Sequence, residues 1–279
     1  MHQNGWGWQG LLMTILGHDR NTVYELGRIN VLVAGFDDGG NADTIMVVSY
    51  KPSIQEIAML SIPRDTFVGE NVNRALPGDR LNSLFSAQRP EILLEAVQEI
   101  TNLEIPYYLF IDLDAFVELV DIIGGVYFYV PMDMRYDDFG DGLHIDLEQG
   151  YHKLYGEQAE HLVRFRNSND GETFEYKYGM YDYGRMRTGR EFIMATMRQT
   201  LTPRNVFRIR NIANVMEDNV ITNIPNRQGM DFLPYLLNFS DIYIMDEQLP
   251  GVSQVPNGSW VFIPNETQAE ELIRRMFLR

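Results

Sequence analysis

The chain has 279 residues, 45% of them hydrophobic and 22% charged, which excludes a disordered polymer and allows one large core or two modest ones. A net charge of −16 excludes a general binder of nucleic acid or anionic membrane, because polyphosphate is repelled unless basic residues gather in one place. The lack of cysteine excludes disulfides and thiolate chemistry and leaves the compartment open.

Residues 6–26 have mixed helical spacing and predict a leading amphipathic helix, set off from the body by Gly27. Its apolar run "LLMTIL" at 11–16 is far short of the roughly 20 residues a spanning helix needs. The body then opens with strand-like runs at 29–35, 44–50 and 54–62, the last two joined by "KPS" as a hairpin. Pro90 opens a helix with Leu93, Ala96, Val97 and Ile100 on one face, and Asn102 can end it. "YYLFI" at 107–111, "DLDAFVELVDII" and "VYFYV" read as strand, helix, strand, with Gly124 and Gly125 stopping the helix.

Residues 131–153 are rich in Asp and Gly without a helical period, which predicts a long loop or a small hairpin. Helices follow at 155–163 and 184–200, then short elements after Pro203, a strand at 260–263 and a last helix at 266–277. Strands alternating with helices predict a three-layer α/β/α fold, and the early hairpin makes its central sheet mixed. The body from 29 to 279 reads as one domain.

Four stretches carry candidate chemistry. "GFDDGGNADT" sets Asp37, Asp38 and Asp43 at the end of an apolar strand, where two carboxylates suit a hard cation such as Mg²⁺; the same acids also read as turn formers beside Gly39 and Gly40. "SIPRDT" sends Arg64 out of a strand after Pro63, either toward an anion or into an ion pair with Asp65. "VRFR" places Arg164 and Arg166 two apart, so that an extended backbone projects both guanidiniums from one face. "YGRMRTGRE" adds Arg185, Arg187 and Arg190 at a helix start, where backbone N–H groups also favour phosphate. Lysine occurs only at Lys51, Lys153 and Lys177, so the basic residues are mostly arginine, whose planar fork fits phosphate. The apolar helices at 91–100 and 114–123 read as core, or as the walls of a hydrophobic channel. Serine-hydrolase, zinc-protease and P-loop motifs are missing.

Together and in order, "NVLVAGFDDGGNADTIMVVSY", "IAMLSIPRDTFV", "RLNSLF", "IPYYLFIDLDAFVELVDIIGGVYFYVP", "LVRFR" and "DYGRMRTGREFI" resemble the LytR-CpsA-Psr family of cell-wall phosphotransferases. The resemblance extends to "EQLPG" and "WVFIPNETQAEELIRRMF". It implies transfer of a glycopolymer, such as teichoic acid or capsule, from a polyprenyl-pyrophosphate carrier onto peptidoglycan or a related acceptor. It also implies a protein on the outer face of a bacterial membrane, anchored by an N-terminal helix, with residues 1–28 as the segment that follows the anchor. By the same resemblance Asp37 and Asp43 hold Mg²⁺, and Arg64, Arg80, Arg164, Arg166, Arg185 and Arg187 bind pyrophosphate. Arg64, Asp43 and Asp65 become the catalytic set, with Asp43 or Asp65 as general base.

The chain departs from the family's pattern at Gly39 and Asn41, where many members carry arginine, and at Thr188-Gly189, where Arg-Gln is usual. A longer loop precedes Asp182, and Arg187 and Arg190 stand close enough to substitute. These departures keep two other readings open: a non-catalytic polyprenyl-phosphate-binding or regulatory module, and a hydrolase in which water replaces the acceptor.

Overall fold

The computed structural model describes residues 27–36, 40–140, 142–200, 220–225 and 242–278. The predicted helix at 6–26, the first-loop residues Asp37, Asp38 and Gly39, and most of the stretch after Pro203 lie outside the described residues. Where the sequence suggests one domain, the chain gathers into two compact units: one runs to Ile111 and resumes at Ile221, and the other is Asp112–Val220.

The first unit opens with strands β1 (Ile29–Phe36), β2 (Ala42–Lys51) and β3 (Glu56–Ser61). Helix α1 (Glu91–Thr101) follows, begun at Pro90 and ended by Asn102 in the left-handed region at φ 51°, and then strand β4 (Tyr107–Asp112). The second unit contains α2 (Leu113–Ile123), β5 (Val126–Val130), β6 (Met134–Asp138), β7 (Leu143–Leu147), β8 (Gly150–Leu154), α3 (Gly156–Arg164) and α4 (Asp182–Thr200). The chain then returns to the first unit with β9 (Val220–Thr222), β10 (Tyr243–Gln248), β11 (Gly251–Gln254), β12 (Val261–Pro264) and α5 (Glu266–Phe277).

The central sheet has six strands in the order β10-β3-β2-β1-β4-β9. It is mixed: β1, β2 and β3 pair antiparallel, whereas β10 lies parallel to β3. Register places Leu32 opposite Val47, Ala34 opposite Ile45, and Val47 opposite Leu60, so these apolar residues share one face. That face joins Leu93 and Val97 of α1 and Ile273 and Met276 of α5 in a single core. Ile57 and Met59, on the opposite face of β3, are buried as well. Both faces of the sheet's middle are therefore covered, the arrangement expected of a layered α/β fold.

One expectation changes. "VYFYV" is a strand, but it leaves the central sheet and pairs antiparallel with β8 in a separate ribbon. The reason lies in its burial: Val126, Phe128 and Val130 point into the second unit's core, while Tyr127 and Tyr129 stand in solvent. A central strand of a covered sheet would be buried on both sides. Residues 131–153 form a hairpin, β6–β7, the second of the two readings of that stretch, followed by β8. α2 is capped by the Asp112 side chain, which accepts from Ala115 N at 2.6 Å, and it stops at Gly124 and Gly125, with φ of 90° and 80°.

Candidate functional site

In the first unit a β-bulge sets the position of Asp43. Gly35 pairs with Thr44 and Phe36 with Ala42, so Asp43 is the extra residue, without a partner in the register. The bulge lets Ala42 and Ile45, three residues apart, enter the same core, which an uninterrupted period-2 strand forbids, and it turns the intervening acid out of the ladder.

Arg64 and Asp65 occupy the tip of the turn that follows β3. Thr66 N and Thr66 Oγ1 both donate to Pro63 O, at 3.0 and 2.6 Å. Arg64 O accepts from Asn82 N at 3.0 Å, Asp65 O from Phe262 N at 2.8 Å, and Thr66 O from Leu81 N at 2.8 Å. Every carbonyl from Pro63 to Thr66 is thus engaged, which fixes the angle at which the two side chains leave.

The side chains form two ion pairs. Arg64 Nη1 bonds Asp43 Oδ1, and Arg80 Nη1 bonds Asp65 Oδ1 at 3.1 Å, with Arg80 Nε also donating to Pro77 O at 2.9 Å. The sequence left an Arg64–Asp65 pair open; the structure instead sets Asp43 on Arg64 and Arg80 on Asp65. Arg64 and Asp43 are 26% and 37% exposed. Such a pair is worth only ~0–1 kcal/mol, so it orients Arg64 without holding it against a more highly charged phosphate. Asn82, buried next to this turn, has a side-chain Oδ1 without a hydrogen-bond partner among the described residues. In "RLNSLF" the family resemblance points to Arg80 alone, and Asn82 carries no signal of its own.

The second unit holds its own arginines. Arg164 is the last residue of α3, and its Nη1 bonds Glu160 Oε1 at 2.8 Å. It is therefore helical, and the expected extended Arg164–Arg166 pair is corrected: Ala159 and Leu162 keep the helix packed to its end, and extended backbone begins only at Phe165. Phe165 is buried between the two arginines, and Arg166 is exposed in the following loop.

On α4, Arg185 is buried and bonds Asp182 Oδ1 through Nε at 2.9 Å and Nη2 at 2.8 Å. Arg187 Nε bonds Glu191 Oε1 at 2.8 Å, and its guanidinium lies 4.3 Å from the centre of the Tyr178 ring. Tyr178 also donates to Glu191 Oε2 at 2.9 Å and meets Thr188 Oγ1 at 3.0 Å. Burial, with Glu191 adding to it, raises the Tyr178 hydroxyl well above its ordinary pKa, so it stays a neutral donor. Arg190 is buried. Thr188, at the departure from the family pattern, is thus part of a Tyr178–Thr188–Glu191–Arg187 cluster that the long preceding loop completes. The sequence signals only the Arg187–Glu191 pair, at i and i+4; Tyr178 joins it from a loop nine or more residues away, which local sequence does not announce.

The donor set near Asp43 suits a hard cation in kind, since it offers carboxylate oxygens. Its expected partner Asp37 lies outside the described residues. Among the described residues no group of three or more His, Asp or Glu side chains is placed to hold a metal, and Mg²⁺ needs only one or two carboxylates when water and phosphate complete its shell.

Comparison with known proteins supplies the family. The LytR_cpsA_psr family model matches residues 14–277. The chain is 27% identical over 271 residues to Biofilm regulatory protein A of Streptococcus mutans, covering 90% of this chain and 63% of that protein. It is 26% identical over 264 residues to the polyisoprenyl-teichoic acid–peptidoglycan teichoic acid transferase TagV of Bacillus subtilis, covering 91% and 65%. It thus spans less than two thirds of the length of either relative. The crystal structure of B. subtilis TagV superposes with a TM-score of 0.70 at 23% identity, covering 90% of this chain and 97% of that one, so the fold is shared. With the mixed six-stranded sheet and the match over nearly the whole chain, this protein belongs to the LytR_cpsA_psr family.

Proposed function

We propose that the chain is a phosphotransferase that moves a glycopolymer from a polyprenyl-pyrophosphate carrier onto peptidoglycan or a related acceptor, at the outer face of a bacterial membrane. The observation that carries this reading is the bulged Asp43 paired with Arg64 on an immobilised turn, within a family whose relative TagV is named a teichoic acid transferase. Among the described residues no helix is long and apolar enough to cross a membrane; membrane attachment is part of the proposal.

The chemistry follows from charge. An acceptor hydroxyl attacks the phosphorus that bears the glycan, a new P–O bond forms, the bond to the bridging oxygen breaks, and polyprenyl monophosphate leaves. The hydroxyl proton goes to a carboxylate, Asp43 or Asp65. Arg64 and Arg80 exchange their carboxylate partners for phosphate oxygens and absorb the negative charge that builds on the leaving group. Arg164, Arg166, Arg185 and Arg187 are the further pyrophosphate-binding residues that the family pattern implies. Asp43, with Asp37, would hold Mg²⁺, which when bound neutralises phosphate charge.

Incubation with a polyprenyl-pyrophosphate-linked glycan and an acceptor glycan, with and without Mg²⁺, tests the proposal. Release of polyprenyl monophosphate together with glycan on the acceptor supports it. Tight lipid binding without turnover would favour the alternative of a binding or regulatory module. That alternative is supported by the carboxylate pairing of Arg164, Arg185 and Arg187 and by the threonine and glycine at 188–189.

A further inference from the structure

We infer that the outer face of the β5–β8 ribbon is a docking surface for a carboxylate-bearing polysaccharide strand. Antiparallel register sets Tyr127 opposite Lys153 and Tyr129 opposite Tyr151. All four occupy the solvent side, with Tyr127, Tyr129 and Tyr151 exposed by 65%, 45% and 83%. Tyr155 continues the row just beyond β8 and is exposed too. The outward side of the ribbon is thus tyrosine and lysine alone, and with Tyr155 it sets four exposed tyrosines on one side.

The surface is organised. Tyr129 and Tyr151 meet edge to face, with ring centres 5.0 Å apart. Lys153 Nζ lies 5.6 Å from the centre of the Tyr127 ring and 5.3 Å from that of Tyr155. Gly125 makes room for this arrangement: a Cβ there would come within 3.2 Å of the Tyr155 ring and 3.3 Å of Lys153 Cε. Among the described residues no carboxylate pairs with Lys153. The ammonium is held by ring faces in a protein of net charge −16, a cation left available to an external anion.

The composition selects the occupant. Tyrosine rings offer flat apolar faces to the C–H faces of pyranose rings, and their hydroxyls reach sugar hydroxyls at the rim. Outward positions recur at about 7 Å along each strand, with the strands about 5 Å apart, so the row matches an extended ligand more than a compact one. A lipid surface is disfavoured, because the face carries no aliphatic side chain to insert and one lysine instead of a basic cluster. A protein partner would want a dehydrated anchor pocket, whereas this face is a row of exposed side chains on a two-stranded ribbon. A lysine that no described carboxylate neutralises, set among the rings, complements a polysaccharide bearing spaced carboxylates. In the proposed transfer such a strand is the acceptor, yet binding at this face requires neither donor nor metal, so it stands or falls separately from the reaction.

The test uses the full chain and a short hyaluronan oligosaccharide as the carboxylate-bearing probe, with a neutral chito-oligosaccharide of equal length beside it. Calorimetry supplies affinity, and the tyrosine ring resonances locate binding. The acidic strand should bind more tightly than the neutral one by roughly tenfold, the effect of one charge-assisted hydrogen bond, and more weakly as salt rises. Lys153→Gln should erase that difference, and Tyr127→Ser with Tyr151→Ser should weaken both ligands severalfold. These residues are exposed, so an unchanged thermal midpoint separates lost binding from lost fold. Equal binding by wild type and all variants, or no binding of either sugar, overturns the inference. It is equally overturned if phosphatidylglycerol vesicles or a second copy of the chain occupy the face in a tyrosine-dependent way while the sugars do not.

Discussion

Asp43 illustrates how one backbone irregularity can position a charged side chain. The bulge spares Asp43 a place in the ladder and lets its carboxylate meet Arg64, while Arg64 itself is fixed by a turn whose carbonyls are all engaged. Replacing Arg64 with alanine is expected to lower transfer by about 10²–10³-fold, the usual effect of removing a group that stabilises transition-state charge. Stability should change by less than ~1 kcal/mol, because the half-exposed pair contributes little to folding. A urea midpoint that fell steeply in Arg64→Ala would show a structural residue instead. Asn82 gives a complementary case: its buried Oδ1 has no partner among the described residues, and such groups persist where water or a ligand satisfies them. Asn82→Leu should therefore keep or raise the thermal midpoint while weakening donor binding. A lower midpoint with unchanged binding would contradict that role.

At the scale of elements, α3 and α4 depend on close approach. A Cβ on Gly184 would lie 2.1 Å from Phe174 Cδ2 and 2.4 Å from Gly179 O. Gly184→Ala must push the helix from the loop that precedes it, at a cost of roughly 1–3 kcal/mol, readable as a lower urea midpoint. The histidines of the second unit make a prediction about pH. His161, on α3, is half-buried, and burial lowers its pKa below the ordinary 6.5 despite Glu157 and Glu160. His144, exposed on β7, is raised above 6.5 by its hydrogen bond to Asp137. In an NMR titration His161 should thus lose its proton at lower pH than His144. Because the depressed value belongs to the folded state, the His161 contribution to stability is complete above pH 6.5 and lost as pH falls through the folded value. The opposite holds for His144, whose contribution is complete below 6.5 and lost as pH rises through its raised value. A reversed titration order would show that burial does not govern His161.

Most of these elements were legible in the sequence because apolar period and end signals coincided: Pro90 and Asn102 bound α1, Gly124 and Gly125 end α2, and the last helix runs from Glu266 to Phe277 as its spacing implies. Pairing was less legible. "VYFYV" announces a strand, yet only the exposure of its tyrosines tells which sheet it avoids. Likewise "VRFR" has the spacing of an extended pair, and only the packing of Ala159 and Leu162 shows that Arg164 is still helical. The aspartates and arginines of the first unit were visible in order, but the exchange of partners, Arg64 with Asp43 and Arg80 with Asp65, depends on a bulge and a turn that local sequence does not encode.

In the proposed reaction an acidic chain has to bind a pyrophosphate. At net charge −16 the long-range field opposes an anionic donor, and only guanidiniums close to the phosphates can overcome it. The deciding measurement is polyprenyl monophosphate release and glycan transfer from a polyprenyl-pyrophosphate donor with Mg²⁺, in wild type, Arg64→Ala and Asp43→Asn. A phosphotransferase that works through Arg64 and Asp43 gives acceptor-dependent product in wild type and loses it in both variants, with each variant still folded. Product formed equally by all three proteins, or by none while the donor binds, would contradict it.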